Sequence, residues 1–164
     1  MVDSRDKGTR AEYAVRDLLR ASTGLQWERV PGSGGLNAAH GMKGDIYLSP
    51  SSGHLSKFCI EVKHYKDEQF NSNMLKPTKS QSQMEKWLLQ TEREAIQINS
   101  KPMLVFKKDR GEWFAAVPID DEIMPKLDNI VPFSTIMLSV AVKTYKVVPF
   151  KLLLEALDNE DLAR

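Results

Sequence analysis

Apolar residues recur along the chain with two different periods, and the period decides which element each segment is predicted to form. Five apolar side chains at helical spacing predict an amphipathic helix over Ala11–Leu19, which Gly24 can end. The same spacing predicts a long helix over Gln81–Ile98. A last apolar stretch predicts a closing helix over Phe150–Leu157.

Strict alternation of apolar and polar residues over Phe58–Lys63 predicts a strand with one buried face. A shorter strand is predicted over Asp45–Leu48, and the turn-forming residues of Ser49–Lys57 favour an antiparallel hairpin. Further strands are predicted over Met103–Phe106 and Trp113–Val117, and one or two more over Ile136–Val142 and Tyr145–Val148. Helices mixed with strands in this order predict an α/β fold with a central mixed β-sheet flanked by helices.

Two segments lack either period and are predicted to be loops. Arg29–Gly44 holds five glycines and one proline, and Lys66–Ser80 is polar throughout most of its length. A long ordered loop inside a small domain is more often functional than idle. The length of 164 residues is typical of one domain, so we expect both loops to belong to the same unit.

Composition narrows the functional classes only slightly. The chain has 23 Lys and Arg against 22 Asp and Glu, a net charge of +1, so DNA binding would depend on where the charges lie. The single cysteine, Cys59, excludes an internal disulfide and a multi-cysteine zinc site. Because Met1–Arg10 lacks the apolar stretch of a secretory signal and no segment is long enough to span a bilayer, we expect a soluble cytoplasmic protein with no membrane partner.

The predicted hairpin brings charged side chains together. Pairing Asp45 with Glu61 centres the connection on Gly53, in the middle of the turn segment. In this register Asp45, Glu61 and Lys63 share the face opposite the apolar residues, and directly opposed side chains have Cβ atoms about 4.5–5.5 Å apart. Two carboxylates and one ammonium group are therefore predicted to occupy one small volume.

Such a group of side chains suits hydrolysis of a phosphodiester. Opposed carboxylates repel each other unless a divalent cation lies between them, and oxygen ligands of this kind suit Mg²⁺. Lys63 could orient a water or stabilise developing charge. Glu12, at the margin of the first helix's apolar stripe, adds a third acid. The alternative is an exposed strand on which Glu61 and Lys63 simply neutralise each other.

Four short motifs follow one another in a recognisable order: Lys7–Glu12 at a helix start, Arg29–Gly35, Gly44-Asp45, and Glu61-Val62-Lys63. This pattern resembles the PD-(D/E)xK nuclease superfamily, and its layout looks like the archaeal-type Holliday junction resolvases, including versions carried by viruses. The resemblance covers about residues 7–117, which we take as the nuclease core of a single domain, and residues 118–164 are an extension without a match.

The resemblance implies a dimeric, Mg²⁺-dependent endonuclease, with Mn²⁺ expected to substitute, that nicks two strands of a four-way DNA junction symmetrically in recombination and repair. It implies catalytic roles for Glu12, Asp45, Glu61, Lys63 and Ser33. Of these, the three acids Glu12, Asp45 and Glu61 would be the metal ligands. Glycine at position 44 departs from the usual proline before the aspartate, and we expect it to loosen the start of the strand.

Basic residues near the four motifs are predicted to contact DNA: Lys7, Arg10, Arg29, His64 and Lys66. Scattered cations of this kind can also be plain solvated surface. Two other functions remain open: a restriction-type, mismatch or end-processing nuclease that uses the same site, and a junction-binding protein that does not cut. The second is disfavoured, because opposed carboxylates would repel DNA phosphates in a protein that only binds.

Overall fold

The computed structural model describes residues 4–31, 42–69, 82–120, 122–130, 136–140 and 143–164. Seven strands in these ranges form one mixed sheet in the order β1-β2-β3-β4-β5-β7-β6, in which only β3 and β4 are parallel neighbours. The strands are β1 Trp27–Arg29, β2 Ile46–Leu48, β3 Phe58–Tyr65, β4 Lys101–Lys108, β5 Phe114–Pro118, β6 Ile136–Val140 and β7 Lys143–Pro149. The helices are α1 Ser4–Thr23, α2 Gln83–Gln97, α3 Met124–Leu127, α4 Phe150–Ala156 and α5 Asn159–Leu162. This arrangement is the predicted α/β fold.

The sheet separates two apolar layers. On one face, α1 and α4 pack against the strands through side chains such as Val15 and Leu153, which join Ile60 of β3 in one buried cluster. On the other face, α2 packs through Trp87 on Leu104 of β4 and its neighbours. None of the helices in the described ranges is long and apolar enough to cross a membrane.

The predicted hairpin of β2 and β3 is confirmed. Ile46 lies opposite Ile60, which is the register obtained by pairing Asp45 with Glu61. The connection contains a short 3-10 turn at Pro50–Ser52, followed by Gly53 with φ 74°. Gly24 also ends α1 as predicted, with φ 71° and its N–H bonded to the Arg20 carbonyl.

Three sequence-based boundaries are corrected. Helix α1 begins at Ser4 and ends at Thr23, beyond both predicted ends. The residues added at each end are mostly polar, so the apolar period does not reveal that they are helical. The predicted loop from Arg29 starts too early, since Trp27–Arg29 pairs with β2 as strand β1. A strand of three residues is too short to show alternation, and its pairing partner lies beyond a long connection.

The extension at residues 118–164 is part of the same sheet and core. Strand β7 pairs with β5, and β6 pairs with β7, so the two extension strands complete the sheet. Leu153 of α4, Leu157 just after it and Leu162 of α5 lie in the same buried cluster as α1. The extension therefore covers a face of the sheet that would otherwise be exposed.

Candidate active site

Asp45 is placed by the glycine before it. Gly44 has φ 80°, and a Cβ at this position would lie 2.6 Å from the Ile60 carbonyl oxygen. Proline, whose ring holds φ near −65°, cannot adopt this conformation. Gly44 therefore does not loosen the start of the strand as predicted; it lets the chain approach β3 closely.

At the end of the β2–β3 ladder, the Asp45 carboxylate accepts a hydrogen bond from the backbone of β3. The Asp45 N–H donates to the Ile60 carbonyl at 2.7 Å, and Asp45 Oδ2 accepts the N–H of Val62, also at 2.7 Å. These two bonds hold the carboxylate against β3 beside Glu61, with which it interacts directly.

Glu61 and Lys63 lie on the face of β3 that α2 covers. In the parallel pairing, Glu61 is level with Leu104, whose side chain belongs to the α2 layer. Glu61 is 4% exposed, and Lys63 Nζ lies 3.7 Å from Glu61 Oε2. This burial is inconsistent with the alternative in which the two residues form a solvated edge.

Electrostatics at this site oppose ionisation. Burial raises the pKa of Asp45, and the negative charge of Glu12 raises it further, although the hydrogen bond from Val62 lowers it. Burial likewise raises the pKa of Glu61, with added contributions from a hydrogen bond to Glu94 and from the charge of Asp45. Acids crowded in this way fit a divalent cation, which would stabilise both carboxylates in their charged form.

Glu94 on α2 is a member of this site that the sequence analysis missed. Its carboxyl group contacts Glu61, and Gln90 Nε2 donates to Glu94 Oε1 at 3.3 Å. Glu94 Oε2 is buried and has no hydrogen-bond partner. Position 94 lies three residues after Thr91, at the margin of the buried stripe of α2, so helical spacing could have identified it.

Glu12 forms an ion pair with a basic side chain. Its carboxylate is bonded to Nε of Arg29, whose guanidinium lies 5.6 Å from the centroid of the Tyr13 ring. The arrangement places a third acid near Asp45, close enough to affect its ionisation, and pairs it with a residue predicted to contact DNA. Across the described ranges, no three His, Cys, Asp or Glu side chains are grouped as a ready-made metal site.

The other predicted DNA contacts divide between two places. Lys7, Arg10 and His64 line one open groove of about 470 Å³ between α1 and the carboxyl ends of β3 and β4. Lys66 is exposed just beyond the end of β3. Ser33 lies outside the described residues, so its predicted role is not addressed by the structure. The groove also contains Lys107 and Trp113.

Comparison with known proteins identifies the class. Residues 3–163 match the family described as "Phage putative PDDEXK endonuclease". The chain is also 57% identical over 129 residues to Protein D14 of Escherichia phage T5, an alignment that covers 79% of this chain and 78% of that protein. No match was found among solved structures.

The fold, the buried acid pair and this match together define a nuclease of the PD-(D/E)xK type. The chain belongs to the phage PDDEXK endonuclease family. This confirms the superfamily and the viral relationship inferred from the motifs.

Proposed function

We propose that this protein is a structure-selective endonuclease that resolves four-way DNA junctions by metal-dependent hydrolysis of phosphodiester bonds. Its 164 residues would act as one nuclease domain in the host cytoplasm. The observation that carries the proposal is the convergence of the Asp45 and Glu61 carboxylates beside the Lys63 ammonium group. The order of the four sequence motifs supports the junction as the substrate.

Asp45 and Glu61 would hold the cation, with Glu12 as the third acid of the site. The donor set consists of carboxylate oxygens, which favours Mg²⁺ and allows Mn²⁺ to substitute. When bound, such a cation activates the attacking water and offsets charge on the phosphoryl oxygens. Between them, the carboxylates would place the scissile phosphate at the end of the β2–β3 ladder.

Lys63 would act directly on the reacting groups. Its ammonium group is held near Glu61 and is only partly exposed, so its position is restrained before DNA arrives. From there it could orient the attacking water or stabilise negative charge that develops in the transition state. Ser33 remains a proposed catalytic residue on the basis of the sequence motif.

Lys7, Arg10, His64, Arg29 and Lys66 would contact the DNA backbone. Arg29 would exchange part of its interaction with Glu12 for a phosphate. A four-way junction presents two equivalent scissile strands, and a two-fold dimer with one site per subunit matches that symmetry. The proposal therefore includes a homodimer.

The test is cleavage of labelled DNA by the whole protein, with and without Mg²⁺. Four-way junctions, linear duplexes of the same sequence and single strands are offered at equal concentration, with Asp45→Asn as the inactive control. We expect paired nicks in the junction that require the cation. Equal cutting of linear duplex would indicate a restriction-type or end-processing nuclease instead. Binding of the junction without cutting would leave the non-cleaving alternative.

A further inference from the structure

The groove lined by Lys7, Arg10 and His64 combines positive charge with an aromatic ring. It lies between α1 and the carboxyl ends of β3 and β4, and its volume of about 470 Å³ is within the usual range for a small-ligand site. Lys7 and Arg10 line it from α1, and Lys107 and Trp113 line it from the sheet. Cations with an aromatic ring in one concave surface are the combination that binds single-stranded nucleic acid.

Trp113 presents part of its ring to this groove. The residue packs partly against the core, yet the Lys107 ammonium lies 5.3 Å from the centroid of its ring. The His64 ring meets it edge-on, with centroids 6.0 Å apart and planes at 60°. Because the group on the ring face is a flexible lysine rather than core packing, a planar ligand can take its place.

The charged side chains that line the groove can bind an anion. Asp109 is the one acid among the residues lining it, and it is shared: Lys7 Nζ lies 2.5 Å and His64 Nε2 lies 3.0 Å from Asp109 Oδ1. His64 Nε2 is nevertheless buried without a hydrogen bond of good geometry. Three formal cations therefore face a single carboxylate, and the surplus favours phosphate.

The groove and the candidate active site lie on opposite faces of the sheet, near the same end of β3. His64 follows Lys63 on β3, and consecutive residues of a strand point to opposite faces. A DNA strand that reached both places would have to pass around the carboxyl end of β3, where residues 66–69 follow the strand.

We propose that this groove binds one unpaired nucleotide of the DNA substrate, with its base stacked on Trp113 and its phosphate among Lys7, Arg10 and Lys107. The inference rests on the proposed function for the identity of the substrate. An unpaired base is required because the base faces of a continuous duplex are already stacked on their neighbours. Single strands supply such bases directly, and the interrupted stack at a branch point lowers the cost of unpairing one, which gives the enzyme a physical means of distinguishing branched from linear DNA.

Intrinsic fluorescence provides a direct test. Of the three tryptophans, Trp27 and Trp87 are buried in the core, so Trp113 is the one whose emission a ligand in the groove would change. The inactive Asp45→Asn protein is titrated with a single-stranded oligonucleotide, a four-way junction and a continuous duplex. We expect quenching by the first two and little by the duplex. Equal quenching by all three, or by none, would overturn the proposal.

Binding by variants gives an independent measurement. Trp113→Ala should weaken affinity for the single strand about tenfold, while Trp113→Phe keeps most of it, because stacking needs an aromatic face. Tyr65→Ala is the matched control, since Tyr65 is an exposed aromatic residue at the end of β3 that does not line the groove. An equal loss in Tyr65→Ala, or none in Trp113→Ala, would contradict the assignment.

The outcomes separate this inference from the proposed function. Quenching by single strands in a protein whose wild type does not cut junctions would leave the groove in place and remove junction resolution. Normal junction cleavage by wild type, with Trp113→Ala binding every DNA as wild type does, would remove only the groove. If Trp113→Ala does not fold, the titration of the Asp45→Asn protein and the Trp113→Phe variant still decide the question.

Discussion

Two acidic regions of this molecule are built on opposite principles. At the end of the β2–β3 ladder, Glu61 interacts with Asp45 on one side and with Glu94 on the other, and Lys63 is the nearby cation. At the C-terminal corner, Lys126 Nζ lies 2.6 Å from Asp161 Oδ2 and 3.1 Å from Asp158 Oδ2. The corner satisfies its acids with a cation and backbone N–H groups, whereas the ladder end places acids against one another.

The two regions shift the pKa values of their acids in opposite directions, and this difference indicates the role of each region. Burial alone would raise the pKa of Asp161, but hydrogen bonds from Lys126 and from the Asp158 N–H lower it. At the ladder end, burial and neighbouring acids raise the pKa of Glu61. Buried acids placed against one another add no stability to the metal-free protein, so their presence there is more consistent with function than with stability.

Removing a carboxylate metal ligand from the ladder end should have the largest effect on activity. We expect Glu61→Gln to reduce cutting by about 10³-fold or more, because the amide is a poor ligand for Mg²⁺. Binding of junctions should persist or strengthen, and the melting temperature of the metal-free protein should not fall. Cleavage assays, gel shifts in Ca²⁺ and thermal melts measure these three quantities. A parallel loss of DNA binding would indicate a structural role for Glu61.

A substitution at Lys63 should distinguish catalysis from metal binding. Lys63→Ala should slow turnover about 10²-fold, the size expected when one stabilising group is lost from a transition state. Calorimetric titration with Mn²⁺ should give nearly the wild-type affinity, since an ammonium group is not a metal ligand. Lys151→Ala, an exposed change on α4, is the control. Unchanged turnover in Lys63→Ala would remove its proposed role.

Glu94 tests whether α2 contributes to the acidic site. We expect Glu94→Gln to weaken Mn²⁺ affinity about tenfold, because groups behind a metal ligand commonly affect affinity by 10–100-fold. The amide oxygen can still accept from Gln90, so the helix should remain intact. Glu155→Gln on the exposed side of α4 is the matched control. Wild-type affinity in Glu94→Gln would limit the site to Asp45, Glu61 and Glu12.

The stability that the C-terminal corner contributes should fall as the pH is lowered, whereas acids with raised pKa values, as at the ladder end, have the opposite dependence. Because the folded pKa of Asp161 is depressed, its stabilisation is complete above its unfolded pKa of about 3.9 and is lost as pH falls through the lower folded value. Asp161→Asn should therefore cost about 1 kcal/mol at pH 7, the size of one capping interaction. The difference from wild type should shrink by pH 3 in denaturant melts. A difference that stays constant with pH would contradict the assignment.

Much of the site could be predicted from the sequence because it depends on strand alternation. The pattern of Phe58–Lys63 puts Glu61 and Lys63 on one face, and the symmetric turn sets the register that the structure confirms at Ile46 and Ile60. Both inferences need only local backbone geometry, which neighbouring residues determine. The class of nuclease followed from the same short motifs.

Only the tertiary structure determines which distant residues contact those motifs. Glu94 reaches Glu61 from a helix that packs on the sheet more than thirty residues later in the chain, and Trp113 joins Lys7 across an even longer separation. Gly44 is needed because a neighbouring strand, and not its own segment, comes within 2.6 Å of where a Cβ would lie. Contacts between distant segments depend on how whole elements pack, and a period of two or 3.6 residues carries no information about them.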